Sequence, residues 1–344
     1  MTRPLLLFVV ALALLVAAHA ALARTVVDSV GMTVADLERS VRFYTEVLDF
    51  ERVAGWEESG SGYEHLYGVF GARVRVARLA LGDEAIELRE FLAPHGRPIP
   101  PDSRSNDRWF QHVAIVVSDM ERAYAKLREH AVEHASTGPQ TLPDSNPDAG
   151  GISAFYFRDP DGHHLEILQF PRDKGDARWQ ARDRLFLGID HTAIVVASTD
   201  DSLRYYRDVL GMRVAGAAEN FGPEQERLNN VFGVRLRITT LRADAGIGVE
   251  LLDYLAPRTG RPMPVDTLAS DLWHWQVNYE HADLASIEAA VKATSGKAAM
   301  PSFVSPGVVT LRDGAALMLR DADGHAAVLR QSGGPNAQGA SYGN

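Results

Sequence analysis

Six side chains able to hold a cation or move a proton lie inside runs that are otherwise apolar. His112 opens His112-Val113-Ala114-Ile115-Val116-Val117, and His191 opens His191-Thr192-Ala193-Ile194-Val195-Val196. His274 stands between Trp273 and Trp275, and Glu87, Glu166 and Glu250 each stand between two apolar neighbours. Imidazole and carboxylate are ordinary ligands of divalent ions and ordinary proton carriers. Taken singly, a strand histidine is more often a hydrogen-bonded core or rim residue, and a strand glutamate usually faces water. The chain has no cysteine, so it forms no disulfides, and any metal or nucleophile role falls to other residues.

Parity sharpens the choice, because residues i and i+2 of a strand share a face. His191 shares its face with Ala193 and Val195, and His112 with Ala114 and Val116. Small neighbours leave room for an ion or ligand beside the ring. His274 shares its face with Gln276 and Asn278, a polar wall that a dry core would not tolerate without partners. His164 lies two residues before Glu166 and points the same way, either as a partner of that carboxylate or as a rim histidine. Tyr156 and Tyr254 are aromatic core residues by default and pocket-lining residues otherwise.

The elements that carry these residues repeat. Ser29, Ser40 and Tyr44 recur as His191, Ser202 and Tyr206 at a constant offset of 162 residues. Val69-Phe70-Gly71 recurs as Val231-Phe232-Gly233, and Phe91-Leu92-Ala93-Pro94 as Tyr254-Leu255-Ala256-Pro257. Each long repeat splits again. Residues 26–34 alternate as a strand does, and Leu37, Val41, Tyr44 and Leu48 have helical spacing behind an Asp36 N-cap. Two more alternating runs follow, around Arg73–Val76 and Ala85–Leu88. A second β-α-β-β-β order restarts at Phe110 and ends in a hairpin around Asp159-Pro160-Asp161-Gly162. The fold class is therefore α+β with four βαβββ modules.

The length suffices for two domains with full cores. A net charge of −10 argues against nucleic acid and anionic membranes as partners. Arg3, the apolar run Leu5 to Ala18 and Ala21-Leu22-Ala23 predict a signal peptide over 1–23. The run is too short for a stable membrane anchor, so the mature protein is expected to be exported, periplasmic or secreted. The expected boundaries are 24–170 for domain 1, 171–186 for a linker, 187–331 for domain 2 and 332–344 for a disordered tail.

Three stretches carry a resemblance: His191-Thr192-Ala193-Ile194-Val195-Val196, Ser202-Leu203-Arg204-Tyr205-Tyr206, and Asp159-Pro160-Asp161-Gly162-His163-His164-Leu165-Glu166. They resemble the vicinal oxygen chelate (VOC) superfamily of glyoxalase I, extradiol dioxygenases, and fosfomycin and bleomycin resistance proteins. The resemblance implies that modules pair into two cup-shaped mixed β-sheets, with metal ligands on the first and last strands of each module. It maps the ligand positions of domain 1 onto Ser29, Glu87, His112 and Glu166, and those of domain 2 onto His191, Glu250, His274 and Val328. Ser29 and Val328 cannot fill their places, which leaves Glu87, His112 and Glu166 as one set and His191, Glu250 and His274 as the other. The second set has two histidines and one carboxylate, a composition suited to Fe, Mn, Ni or Zn. The function implied is a divalent-metal-dependent enzyme, a lyase, isomerase or dioxygenase, acting on a small substrate with vicinal oxygens. The alternative is a metal-free protein that sequesters a small molecule, as bleomycin resistance members do. Internal pairing of modules is compatible with a monomer.

Overall fold

The computed structural model describes residues 24–331; the expected signal peptide at 1–23 and tail at 332–344 lie outside the described residues. The first module comprises β1 (Thr25–Thr33), α1 (Leu37–Leu48), β2 (Glu51–Ser59), the short α2 (Ser61–Tyr67), β3 (Arg73–Leu81) and β4 (Glu84–Ala93). The second comprises β5 (Gln111–Val117), α3 (Met120–Glu129), β6 (Glu133–His134), β7 (Ser153–Arg158) and β8 (His164–Gln169). The third comprises β9 (Phe186–Val196), α4 (Thr199–Tyr206), β10 (Arg213–Phe221), α5 (Pro223–Asn229), β11 (Arg235–Arg242) and β12 (Gly248–Ala256). The fourth comprises β13 (Trp275–His281), α6 (Leu284–Thr294), β14 (Ser302–Phe303), β15 (Gly314–Arg320) and β16 (Ala326–Gln331).

The helix after each first strand starts on a side-chain cap. Asp36, Asp119, Ser198 and Asp283 each accept from a backbone N–H three residues on, which contributes about 1 kcal/mol per helix. Leu37, Val41, Tyr44 and Leu48 form the buried stripe of α1, as their spacing predicts. One apolar core then joins all four modules. It includes Met32 of β1, Ile115 of β5, Ile194 of β9 and Val277 of β13.

The sheets do not follow the two halves of the repeat. One runs β14-β15-β16-β13-β1-β4-β3-β2 and the other β10-β11-β12-β9-β5-β8-β7-β6. Each cup forms where two first strands pair antiparallel, β1 with β13 and β9 with β5. The first module therefore shares a sheet with the fourth, and the second with the third. The expectation of one cup within 24–170 and another within 187–331 is corrected accordingly.

Two reciprocal straps fix this exchange. The segment 94–110 leaves β4 for the other sheet, and the segment 257–274 returns from β12. Arg97 pairs with Asp271 at 2.7 Å and stacks over Trp273, while Arg261 pairs with Asp107 at 2.7 Å and stacks over Trp109. The backbones touch. A Cβ on Gly96 would lie 1.8 Å from the Ser270 carbonyl oxygen, and one on Gly260 would lie 1.7 Å from that of Asn106. Within each half, a tyrosine reaches the acidic turn of the next module. Tyr44 donates to Asp159 and Tyr206 to Asp321.

The segment expected as a linker, 171–186, stays beside one sheet and joins β8 to β9. Its 3-10 turn, Ala177–Gln180, buries Trp179 against Val116 and Leu187. The Trp179 indole N–H donates to Asp190 at 3.2 Å, so this segment reaches the residue next to His191.

Candidate metal centre

Strand register places four ligand-type side chains inside the cup of the second and third modules. Along one row Ala193 lies between Glu250 on β12 and His112 on β5. Along the next, Ala114 lies between His191 on β9 and Glu166 on β8. Each row is thus glutamate, alanine, histidine, and the two rows run in opposite senses. The alanines keep the middle of the floor low, so the four longer side chains lean together above it.

His112 Nε2 lies 3.1 Å from Glu166 Oε2, and His191 Nε2 lies 3.7 Å from the same oxygen and 3.4 Å from Glu250 Oε2. Ligand atoms of His112, Glu166 and His191 all fall within 4.8 Å of one another. All four residues are buried or nearly so. Neighbours hold them. Asp190 Oδ2 is 2.9 Å from His191 Nδ1, which turns Nε2 toward the centre, and Arg242 and Trp179 in turn bind Asp190. Thr240 donates to Glu250 Oε1 at 2.7 Å, leaving Oε2 to the centre.

The residues fit a divalent ion. Both ring nitrogens of His112 are buried without a hydrogen-bond partner, despite the close carboxylate. That is an expensive arrangement for imidazole unless something else uses the lone pair. Two buried carboxylates also need a cation. Burial would lower His191, but the charge of Glu250 and the hydrogen bond and charge of Asp190 outweigh it and push its pKa up to about 9. Imidazole nitrogens with carboxylate oxygens suit Zn, Ni, Fe or Mn.

The other expected ligands are not in this centre. Glu87 lies in the other cup, where Arg89 and Arg78 bind its carboxylate together with the Asn278 amide. Arg89 is 1% exposed and also holds Glu58 at 2.7 Å. A guanidinium there supplies the positive charge. His274 precedes β13 and pairs in register with no ligand; the residue matching His112 is Gln276, which faces Gly31 as His112 faces Ala193. Expecting His274 to match His112 placed it two residues out of register. Burial, then the charge of Arg320, holds His274 well below the usual histidine range. In that cup the two rows read Glu87, Gly31, Gln276 and Ser29, Asn278, Val328, so Ser29 and Val328, expected as gaps in separate domains, fall in the same cup.

Tyr156 lies directly across from Glu166, with its ring 5.0 Å from that of His112. Burial and the charge of Glu166 keep its proton on, well above the usual phenol range. The matching residue of the other cup is Met318, across from Val328, so the fold does not require a phenol there. His164 lies in register with His112, on the strand face of Glu166, and packs against Phe110; burial with the charge of Arg158 pushes its pKa down to about 3. It is therefore a neutral imidazole. Sequence reasoning did not single out Asp190, Thr240 or Arg242. Asp190 had a signal in its position beside His191, and Thr240 and Arg242 had none.

The chain belongs to the Glyoxalase/Bleomycin resistance protein/Dioxygenase superfamily, whose model matches residues 26–167 and again 188–326. A 2-epi-5-epi-valiolone epimerase from Actinomyces sp is 34% identical over 149 residues, covering 42% of this chain and 79% of that relative. Among solved structures, glyoxalase I from Zea mays matches with a TM-score of 0.60 at 16% identity, covering 90% of this chain and 93% of that one. A putative dioxygenase from Bacillus subtilis matches with a TM-score of 0.54 at 12% identity, covering 92% and 86%. These structural likenesses bear on the fold. Among the described residues, no helix is long and apolar enough to cross a membrane.

Proposed function

We propose that this protein is a metal-dependent enzyme of epimerase or isomerase type, which moves a proton on a small substrate bound through two vicinal oxygens. The observation that carries the reading is the convergence of His112, Glu166, His191 and Glu250 from four strands of one cup. These four would hold the ion. When bound, a divalent ion supplies Lewis-acid polarisation of a carbonyl and stabilises charge on its oxygen.

Beside the two imidazoles the cup offers two carboxylates, so one could stay with the ion while the other moves a proton, which favours isomerase chemistry over ring cleavage. Glu166 and Glu250 come from opposite modules of the cup and flank the site from two sides. That arrangement suits removal of a proton on one face of a carbon and return on the other. Tyr156 keeps its proton and can donate to a substrate oxygen. The relative that is an epimerase by name supports the same class. We further propose that the chain is exported, on the signal-peptide pattern of Arg3, the apolar run Leu5 to Ala18 and Ala21-Leu22-Ala23.

The test is hydrogen exchange. Protein reloaded with Mn, Ni, Zn or Fe is incubated with small α-hydroxyketones in D2O, and loss of the proton beside the carbonyl is followed by NMR. Metal-dependent exchange that fails in Glu166→Gln or Glu250→Gln supports the enzyme. Bound metal and bound ligand without exchange would favour a sequestering protein. Mass spectrometry of the mature chain checks cleavage after Ala23.

A further inference from the structure

A one-way chain of carboxamides ends on a tyrosine in the metal cup. Asn146 Nδ2 donates to Asn220 Oδ1 at 2.6 Å, and Asn220 Nδ2 donates to Gln225 Oε1 at 3.0 Å. Gln225 Nε2 donates to Asn229 Oδ1, and Asn229 Nδ2 donates to the Tyr254 hydroxyl oxygen at 2.8 Å. The direction is fixed at the far end. Asn146 Oδ1 accepts the backbone N–H groups of Asp148 and Ala149, so only its Nδ2 can face Asn220. Each amide then has one orientation open to it. At the end of the chain Tyr254 must accept, and its own proton cannot return to Asn229. Among the described residues none accepts that proton.

Asn220, Gln225, Asn229 and Tyr254 are all buried. Tyr254 shares the cup-facing side of β12 with Glu250 and packs with Tyr156 and Phe110 in the lining. Aligned amides polarise one another, which strengthens the final donor. The other cup shows that the fold does not demand this chain. Glu58, Tyr63, Tyr67 and Phe91 stand in the matching places, and that cup has no ligand set. The two arginines nearest the centre are already paired, Arg242 with Asp190 and Arg158 with Glu133.

We propose that Tyr254 is a specificity-determining hydrogen-bond donor of the metal cup, and that it selects a neutral small molecule carrying at least one oxygen beyond the vicinal pair. This rests on the metal reading above. Asn229 is a positioning residue that acts through Tyr254.

The experiment uses cobalt(II) as a coloured reporter. Metal uptake is measured first by mass spectrometry. The visible cobalt spectrum is then titrated with hydroxyacetone, which has only the vicinal pair, with erythrulose, which is neutral and has two further hydroxyls, and with dihydroxyacetone phosphate. Erythrulose is expected to act at about three- to tenfold lower concentration than hydroxyacetone, the range of one neutral hydrogen bond. Tyr254→Phe should erase that preference with cobalt content and the hydroxyacetone response unchanged; Phe91 in the twin position shows that phenylalanine is accommodated. Asn229→Asp should erase it too, because a carboxylate would claim the tyrosine proton while still accepting from Gln225. Equal affinities in the unaltered protein, or a preference that survives Tyr254→Phe, overturn the proposal, as does tightest binding by the phosphate ester. Failure to take up cobalt at all overturns the metal reading and this one with it.

Discussion

His112 and His191 lie in different halves of the repeated sequence, yet their rings are 5.6 Å apart at the floor of one cup. They meet because β5 and β9 are hydrogen-bonded neighbours. Everything proposed for the site follows from that pairing. The same exchange leaves the other cup with Glu87 facing arginine instead of a second carboxylate and two imidazoles.

Asp190 is expected to act on the metal through His191. Burial opposes its charge, but the hydrogen bond and charge of His191, and then Arg242, hold its carboxyl well below the usual range. Asp190→Asn keeps the shape and removes that charge. Metal affinity should fall by about 10- to 100-fold, measured by competition with a chromophoric chelator, while the fold is unchanged by circular dichroism. Unaltered affinity would show that Asp190 serves the Trp179 and Arg242 contacts only.

Arg89 is expected to act on stability and not on metal. It is the buried cation shared by Glu58 and Glu87 in a cup that has no imidazole in its ligand rows. Arg89→Met leaves Glu87 with Arg78 and Glu58 with the more distant Arg330, so the loss should fall at the low end for a broken buried pair, about 3 kcal/mol in urea unfolding. Replacing Arg89, Glu58 and Glu87 together by apolar residues of similar volume should recover most of that loss. A small effect of Arg89→Met alone would show that Arg78 and Arg330 suffice to neutralise the two carboxylates.

The Asp159–His163 pair predicts a pH dependence. His163 points Nδ1 at Asp159 and Nε2 at the Leu272 carbonyl, so both nitrogens carry hydrogen. Burial opposes that charge, but Asp159 outweighs it and raises the His163 pKa. Burial likewise works against the carboxylate, and His163 holds Asp159 low. The histidine contribution is complete below its unfolded pKa of about 6.5 and is lost as pH rises through the raised folded value. The aspartate contribution is complete above its unfolded value of about 3.9 and is lost as pH falls through the lowered folded one. His163→Gln should therefore lower unfolding free energy most between these limits and shallow the alkaline decline. An unchanged alkaline slope would place that decline elsewhere.

Much of this was legible in the chain. The Asp36 cap, the stripe Leu37, Val41, Tyr44 and Leu48, and the hairpin turn at Asp159 follow from local rules, because caps and periodicity act within a few residues. The small neighbours Ala114 and Ala193 beside the histidines also stand where parity puts them. The partnership of modules was not legible. Four similar modules can pair in more than one way with similar hydrophobic burial. The choice is tied to contacts between distant segments, Arg97 with Asp271 and Arg261 with Asp107. One clue was available. Ser29 and Val328 both lack ligand chemistry, so pairing the first and fourth modules gathers the deficient positions in one cup and leaves His112, Glu166, His191 and Glu250 together.

Metal stoichiometry in two double variants tests the central claim most directly. Glu87→Gln with His274→Ala alters two residues outside the proposed centre, and His112→Ala with His191→Ala alters two inside it. Both proteins are reloaded with zinc, dialysed and assayed by mass spectrometry beside the unaltered chain. The account predicts about one zinc per chain in the unaltered protein and the first variant, and essentially none in the second. Zinc lost from the first variant and kept by the second would contradict it.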